Sequence, residues 1–325
     1  MIRAVYTDLP LAELQSLRSS AVAPDDLDAF WRRTVDASRA KAAPPVVVPV
    51  DTGLTTLDVF DVTFSGFDGQ PIRAWLRVPA GATGPLPTVV QYVGYGGGRG
   101  HAVDELQLAS AGFAHLHMDT RGQGSGWSPG DTPDVAPDTG AQAPGVMTRG
   151  IGSPETYYYR RLMTDAVLAV DAARQLEQVD GDRIAVKGGS QGGALAIAAS
   201  AFSPHVKAAL VRVPFLADFP RAIVITDAYP FREVTDWLRI HRGRAEEALA
   251  TLAYFDSSLL AQRASVPGDF TVGLMDEITP PSTVYAAYNA WAGEKQMTVW
   301  QYNGHDGGGL DDLPRELAFL RRHLA

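Results

Sequence analysis

Hydrophobic residues recur along this chain with two different periods, and the change of period divides it. Phe60, Val62 and Phe64 alternate with other side chains, as do Ile72, Ala74, Leu76 and Val78. A period of two predicts strands with one buried face. Gly66-Phe67-Asp68-Gly69 lies between the two runs, so together they predict a hairpin. Upstream, residues 11–39 read as largely helical, with Leu14, Leu17, Leu27, Phe30 and Trp31 as core candidates. Pro24 splits that stretch and Pro44-Pro45 ends it. Downstream, short apolar runs alternate with helical spacing. Strands are predicted at 88–92, 114–118, 183–186, 208–213, 270–274 and 297–302. Helices are predicted at 105–110, 162–176, 194–201, 282–291 and 313–323, the second with Met163, Val167 and Val170 on one face. Such alternation predicts an α/β fold, a mostly parallel sheet flanked by helices, behind an N-terminal helical and hairpin extension.

Two stretches break the alternation. Residues 122–153 are rich in Gly, Pro, Asp and Thr and too long for a simple connection. Such loops are usually functional or disordered. Residues 215–264 are helical and aromatic and fall between two predicted strands. We read them as a cap over a site, in preference to a surface insertion that only packs. No repeat or linker interrupts the 325 residues, which read as one domain over 1–325. The formal net charge is −9 and no Lys/Arg cluster occurs, which argues against a nucleic-acid partner. The absence of cysteine excludes disulfides, thiolate metal sites and a thiol nucleophile. No apolar run is long enough for a bilayer, and Met1 to Asp8 lacks a secretory pattern, so no membrane partner and a cytoplasmic location are expected.

Candidate chemistry centres on Lys187-Gly188-Gly189-Ser190-Gln191-Gly192-Gly193, between predicted strand 183–186 and the small, apolar helix 194–201. Strand, Gly-X-Ser-X-Gly and helix form the nucleophile elbow of an α/β-hydrolase. Its glycines avoid collisions in a tight turn, and its serine stands at a helix N-terminus, where free N–H groups suit a developing oxyanion. A serine needs a base and the base an acid, which this fold orders Ser, acid, His. Of seven histidines, four follow Ser190. His205 comes too soon, His241 lies in a charged helical stretch, and His323 is in the last turn of the chain's final helix. His305 follows the last predicted strand and is the candidate base. Asp276, just past strand 270–274, is the candidate acid, with Glu277 and Asp269 as rivals. The candidate oxyanion donors are the backbone N–H groups of Gln191, next to the serine, and Tyr95, in the glycine-rich loop 92–98. That loop lacks a following Gly-Lys-Ser/Thr, so a phosphate site is not favoured. His115 and His117 share a strand face and read as sheet residues, so neither a metal nor another cofactor is expected. Arg121, in Asp119-Thr120-Arg121-Gly122-Gln123-Gly124, reads as half of a structural ion pair near the floor of the site in preference to a substrate contact.

These pieces together resemble the acetyl xylan esterase/cephalosporin-C deacetylase family of carbohydrate esterases. That family carries Arg-Gly-Gln, Gly-X-Ser-Gln-Gly and His-Glu in this order. The counterparts are Arg121-Gly122-Gln123, Gly188-Gly189-Ser190-Gln191-Gly192 and His305-Asp306. Asp61 to Gly66, Gly94-Tyr95, Met147 to Gly150, Tyr157 to Arg161 and Pro280 to Val284 also resemble family segments, so the likeness covers nearly the whole chain. It implies a nucleophile, acid and base at Ser190, Asp276 and His305, and oxyanion donors at Tyr95 and Gln191. Asp306 stands where the family usually has glutamate, so that position's role is not carried over. The resemblance implies a serine esterase that removes acetyl groups from xylo-oligosaccharides or from small molecules such as cephalosporin C. It also implies a homo-oligomer, a hexamer. The rival readings are a catalytically inactive binding protein on this fold and a carboxylesterase for longer acyl chains.

Overall fold

The structure is a computed structural model that describes residues 6, 8–134 and 145–325. Most of the N-terminal octapeptide and the middle of the 122–153 loop lie outside the described residues. Among the described residues nine strands form one sheet: β1 (Val46–Val50), β2 (Leu57–Ser65), β3 (Pro71–Pro79), β4 (Leu86–Tyr92), β5 (Ala114–Met118), β6 (Val179–Gly189), β7 (Val206–Arg212), β8 (Gly268–Gly273) and β9 (Lys295–Trp300). Their order is β1-β2-β3-β5-β4-β6-β7-β8-β9. From β1 to β5 the pairings are antiparallel; from β5 through β4 to β9 they are parallel. The predicted hairpin is β2–β3, with Phe60 opposite Leu76, Val62 opposite Ala74 and Phe64 opposite Ile72.

The helices are α1 (Leu11–Leu14), α2 (Leu27–Arg39), α3 (Gln107–Ser110), α4 (Tyr158–Ala173), α5 (Gln191–Phe202), α6 (Phe219–Ile225), α7 (Phe231–Ile240), α8 (Ala245–Ala253), α9 (Ser257–Leu260), α10 (Pro281–Ala290) and α11 (Leu313–His323). Successive side chains of a strand point to opposite faces, so each central strand feeds two cores. Val90, Val186, Ala209 and Val211 join the core that contains α2, α4 and α5. Val89, Ala185 and Leu210 face the other way, onto Leu108 of α3 and Phe319 and Leu320 of α11. Ala194 to Ala199 of α5 are all fully buried, which explains why that helix is small and apolar all round. Among the described residues no helix is long and apolar enough to cross a membrane.

Two departures from expectation share a cause. Residues 15–26 are not helical, although Pro24 was the only break expected. The Asn289 side chain of α10 donates to the carbonyls of Leu14 and Leu17, both at 2.9 Å, so partners from elsewhere replace the helix's own. Leu17 is accordingly half-buried, while Leu14, Leu27, Phe30 and Trp31 are buried. Strand β1 was not expected at all. Pro44-Pro45 precedes it, Pro49 lies within it, and Val46 and Val48 are exposed, so only pairing with β2 makes it a strand.

Candidate active site

Strand β6 runs into Ser190 and α5 begins at the next residue. Ser190 has φ 55° and ψ −120°, a conformation that costs a non-glycine residue roughly 1–3 kcal/mol. Its backbone is held on both sides. Ser190 N donates to Arg212 O at 3.0 Å, and Ser190 O accepts from Ala194 N at 3.1 Å and Phe215 N at 3.0 Å. The glycines are steric requirements. A Cβ on Gly188 would lie 2.1 Å from Gly192 O, and one on Gly192 would lie 2.4 Å from Tyr92 O. Gln191 opens α5, where the first N–H groups have no partner inside the helix.

Asp276 lies in the turn after β8 and is buried. Its Oδ1 accepts from the backbone N–H groups of Ile278 and Thr279, both at 2.9 Å. Its Oδ2 lies 2.9 Å from His305 Nδ1 and accepts from the Thr279 hydroxyl at 2.7 Å. A carboxylate facing Nδ1 puts the imidazole proton there and leaves Nε2 as an acceptor. The His305 side chain is 28% exposed. Thr279 escaped the sequence reading; an Asp that bonds backbone two and three residues on is the only local signal for it. The rival carboxylates go elsewhere. Asp269, on β8, pairs with Arg315, and the Glu277 side chain is exposed. The other late histidines are also occupied: His205 beside Arg174, His241 against Trp237 and His323 against Phe319.

A cavity of about 1100 Å³ is lined by Ser190, His305, Tyr95, Tyr229, Pro230 and Ile278, among others. Tyr229 and Pro230 belong to the 215–264 insertion, which therefore supplies one wall. Gln123 links the segments that carry the two candidate donors. Its Oε1 accepts from Gly96 N at 2.6 Å, and its Nε2 donates to Gln191 Oε1 at 2.9 Å. Arg121 lies beneath, fully buried, with Nε and Nη2 on the two oxygens of Asp165 at 2.5 and 2.7 Å. The ion pair expected of Arg121 therefore runs to α4. Asp119 instead accepts from four backbone N–H groups, those of Arg99, Thr120, Asp131 and Thr132. Asp306 lies on the cavity rim and accepts from the Asn303 amide at 3.0 Å. His115 and His117 stack on β5 with ring centroids 5.5 Å apart. Burial pushes both imidazoles down, His117 to about 3. Among the described residues no group of three or more His, Cys, Asp or Glu side chains could hold a metal ion.

A hydroxyl at a helix N-terminus and an imidazole oriented by a buried carboxylate, lining one cavity, are the equipment of acyl transfer. Comparison with known proteins points the same way. The model of the acetyl xylan esterase (AXE1) family matches residues 4–323. The chain is similar to the solved acetyl xylan esterase from Paenibacillus sp. R4, at 37% identity and TM-score 0.89, covering 97% of this chain and all of that one. It is similar to acetyl xylan esterase 1 from Thermoanaerobacterium sp. JW/SL YS485, at 31% identity and TM-score 0.86, covering 96% of this chain and 99% of that one. The acetyl esterase Axe7A of Xylanibacter ruminicola is 27% identical over 287 residues, or 87% of this chain. This chain spans 63% of that relative's own length. The fold is thus the α/β-hydrolase fold that the elbow implied.

Proposed function

The chain belongs to the acetyl xylan esterase family of carboxylic ester hydrolases, and we propose that it is a serine esterase for acetylated xylo-oligosaccharides or other small acetyl esters, cephalosporin C included. Ser190 Oγ attacks the acetyl carbonyl while His305 Nε2 takes its proton. Asp276 keeps the Nδ1 tautomer and stabilises the imidazolium. The N–H groups of Tyr95 and Gln191 hold the oxyanion. His305 then protonates the leaving alcohol, and water repeats the cycle to release acetate. The observation that carries this reading is the 2.9 Å contact of His305 Nδ1 with buried Asp276, on the same cavity as a strained Ser190.

Wild-type protein is expected to release p-nitrophenol from p-nitrophenyl acetate, and folded Ser190→Ala to lose several orders of magnitude in turnover. Near-normal turnover of folded Ser190→Ala would overturn the mechanism, and an inert wild type would favour the binding-protein reading. Initial rates on acetylated xylo-oligosaccharides, cephalosporin C and longer esters then rank the substrates. A fall in kcat/KM from acetate to butyrate is expected; the reverse would favour a longer-acyl carboxylesterase. The closed oligomer, a hexamer, is part of the same proposal. Exposed Val46 and Val48 on the free edge strand β1 support an association surface. Light scattering at the mass of one chain would refute it.

A further inference from the structure

The candidate oxyanion loop is built from residues that do little to fix it. Tyr95 is followed by Gly96, Gly97 and Gly98 and preceded by Gly94. A backbone of this kind holds a shape only where outside groups pin it. Three pins act on the main chain of Tyr95 and Gly96, beyond those that Ser128 makes to Gly98: Trp127 Nε1 donates to Tyr95 O at 2.9 Å, Gly96 N donates to Gln123 at 2.6 Å, and Gly126 N donates to Gly96 O at 2.8 Å. The fourth is the Tyr95 side chain. Its hydroxyl donates to Glu233 Oε1 at 2.6 Å and accepts from Gly145 N at 2.8 Å and Val146 N at 2.9 Å. Glu233 Oε2 accepts from Met147 N at 3.1 Å. The phenol thereby uses its one donor and both acceptor sites. Glu233 stands in the first turn of α7, where a helix N-terminus favours negative charge.

We infer that Glu233 is a positioning residue for the oxyanion hole: by fixing the Tyr95 side chain it aims the Tyr95 N–H, and so couples the insertion to the reacting centre. The inference rests on the proposed role of the Tyr95 N–H. Its chemistry is that of an acceptor for two donors. Burial pushes the Tyr95 phenol up, as do the charge of Glu233 and the bond to it, so the phenol stays a donor. An oxyanion donor acts in the transition state and not on bound substrate, so loss of aim lowers kcat and leaves KM in place. Removing a whole donor costs about 10²–10³ in kcat, so a misaimed one should cost about 10–30-fold.

The test uses Glu233→Ala, Glu233→Gln, Tyr95→Phe and the double variant Tyr95→Phe/Glu233→Ala. One readout is p-nitrophenyl acetate kinetics. The other is the rate at which a p-nitrophenyl alkylphosphonate labels Ser190, in which an Oγ–P bond forms and p-nitrophenolate leaves. Glu233→Ala and Tyr95→Phe should each lower kcat about 10–30-fold at unchanged KM, and slow labelling by the same factor. Glu233→Gln, which keeps one acceptor, should recover part of the loss. The double variant should be no worse than either single one, because both break the same link. A KM that rises as kcat falls, additive losses, unchanged labelling, or a lowered melting temperature with normal kcat would each overturn the inference. Should Glu233→Ala fail to fold, the glutamine and phenylalanine variants carry the test. A wild type that is labelled at Ser190 but inert to acetyl esters counts against the acetyl substrate, while the labelling series still decides the role of Glu233.

Discussion

Asp276 and Asp165 are both buried carboxylates that face a basic side chain, yet their surroundings differ in one respect. Asp165 meets Arg121 through two parallel bonds, takes a further N–H from Phe67, and is closed off, with neither side chain of the pair exposed. Asp276 is as completely satisfied, but its partner His305 is 28% exposed and borders the cavity. A pair finished on all sides can only hold the fold. A pair with one ring nitrogen left over can move a proton. Burial of the acid is common to both, so the difference lies in the partner's free face.

Exchanging the two acids' functions is the sharpest way to break this contrast. Asp276→Asn puts an amide before Nδ1 and should lower kcat about 10⁴-fold, while urea unfolding stays near wild type. Arg121→Met should do the reverse. An uncompensated buried carboxylate costs about 3–5 kcal/mol, read as a lowered urea midpoint, while turnover per folded molecule holds. Arg121→Met/Asp165→Leu should be more stable than Arg121→Met alone, since no lone charge remains. Loss of turnover in Arg121→Met at unchanged stability would make Arg121 part of the chemistry and end the comparison. Thr279→Val removes one hydrogen bond from Asp276 Oδ2 and should cost about 1 kcal/mol, roughly fivefold in kcat/KM.

A buried imidazole on the same cavity gives the remaining contrast. His117 is held by burial at about 3, below the roughly 6.5 of an unfolded chain. The unfolded state therefore takes the proton first, and stability is lost as pH falls from about 6.5 towards 3. His117→Gln should make the fall in melting temperature over that range shallower, with buried His115 keeping its own share. An unchanged acid limb would place the proton uptake elsewhere.

The sequence named Ser190, Asp276 and His305 by their places after strands, and the structure brings the last two into contact and all but Asp276 to the cavity wall. It also read the ion pairing of Arg121 but not the partner, because Asp165 lies 44 positions away, on α4. Glu233 carried no signal at all. An acid in the first turn of an amphipathic helix looks the same whether it meets water or a tyrosine from a distant loop.

The physical reason for this division is range. Strand periodicity, the glycines around Ser190 and the apolar faces of α4 and α11 report forces between near neighbours in the chain, and those alone fixed the order of elements and the elbow. The bonds from Asn289 to Leu14 and Leu17, the addition of β1 to the sheet edge, and the partners of Arg121 and Tyr95 depend on groups far apart in sequence. Such contacts exist only once the sheet has set the distances, so tertiary structure alone decided them.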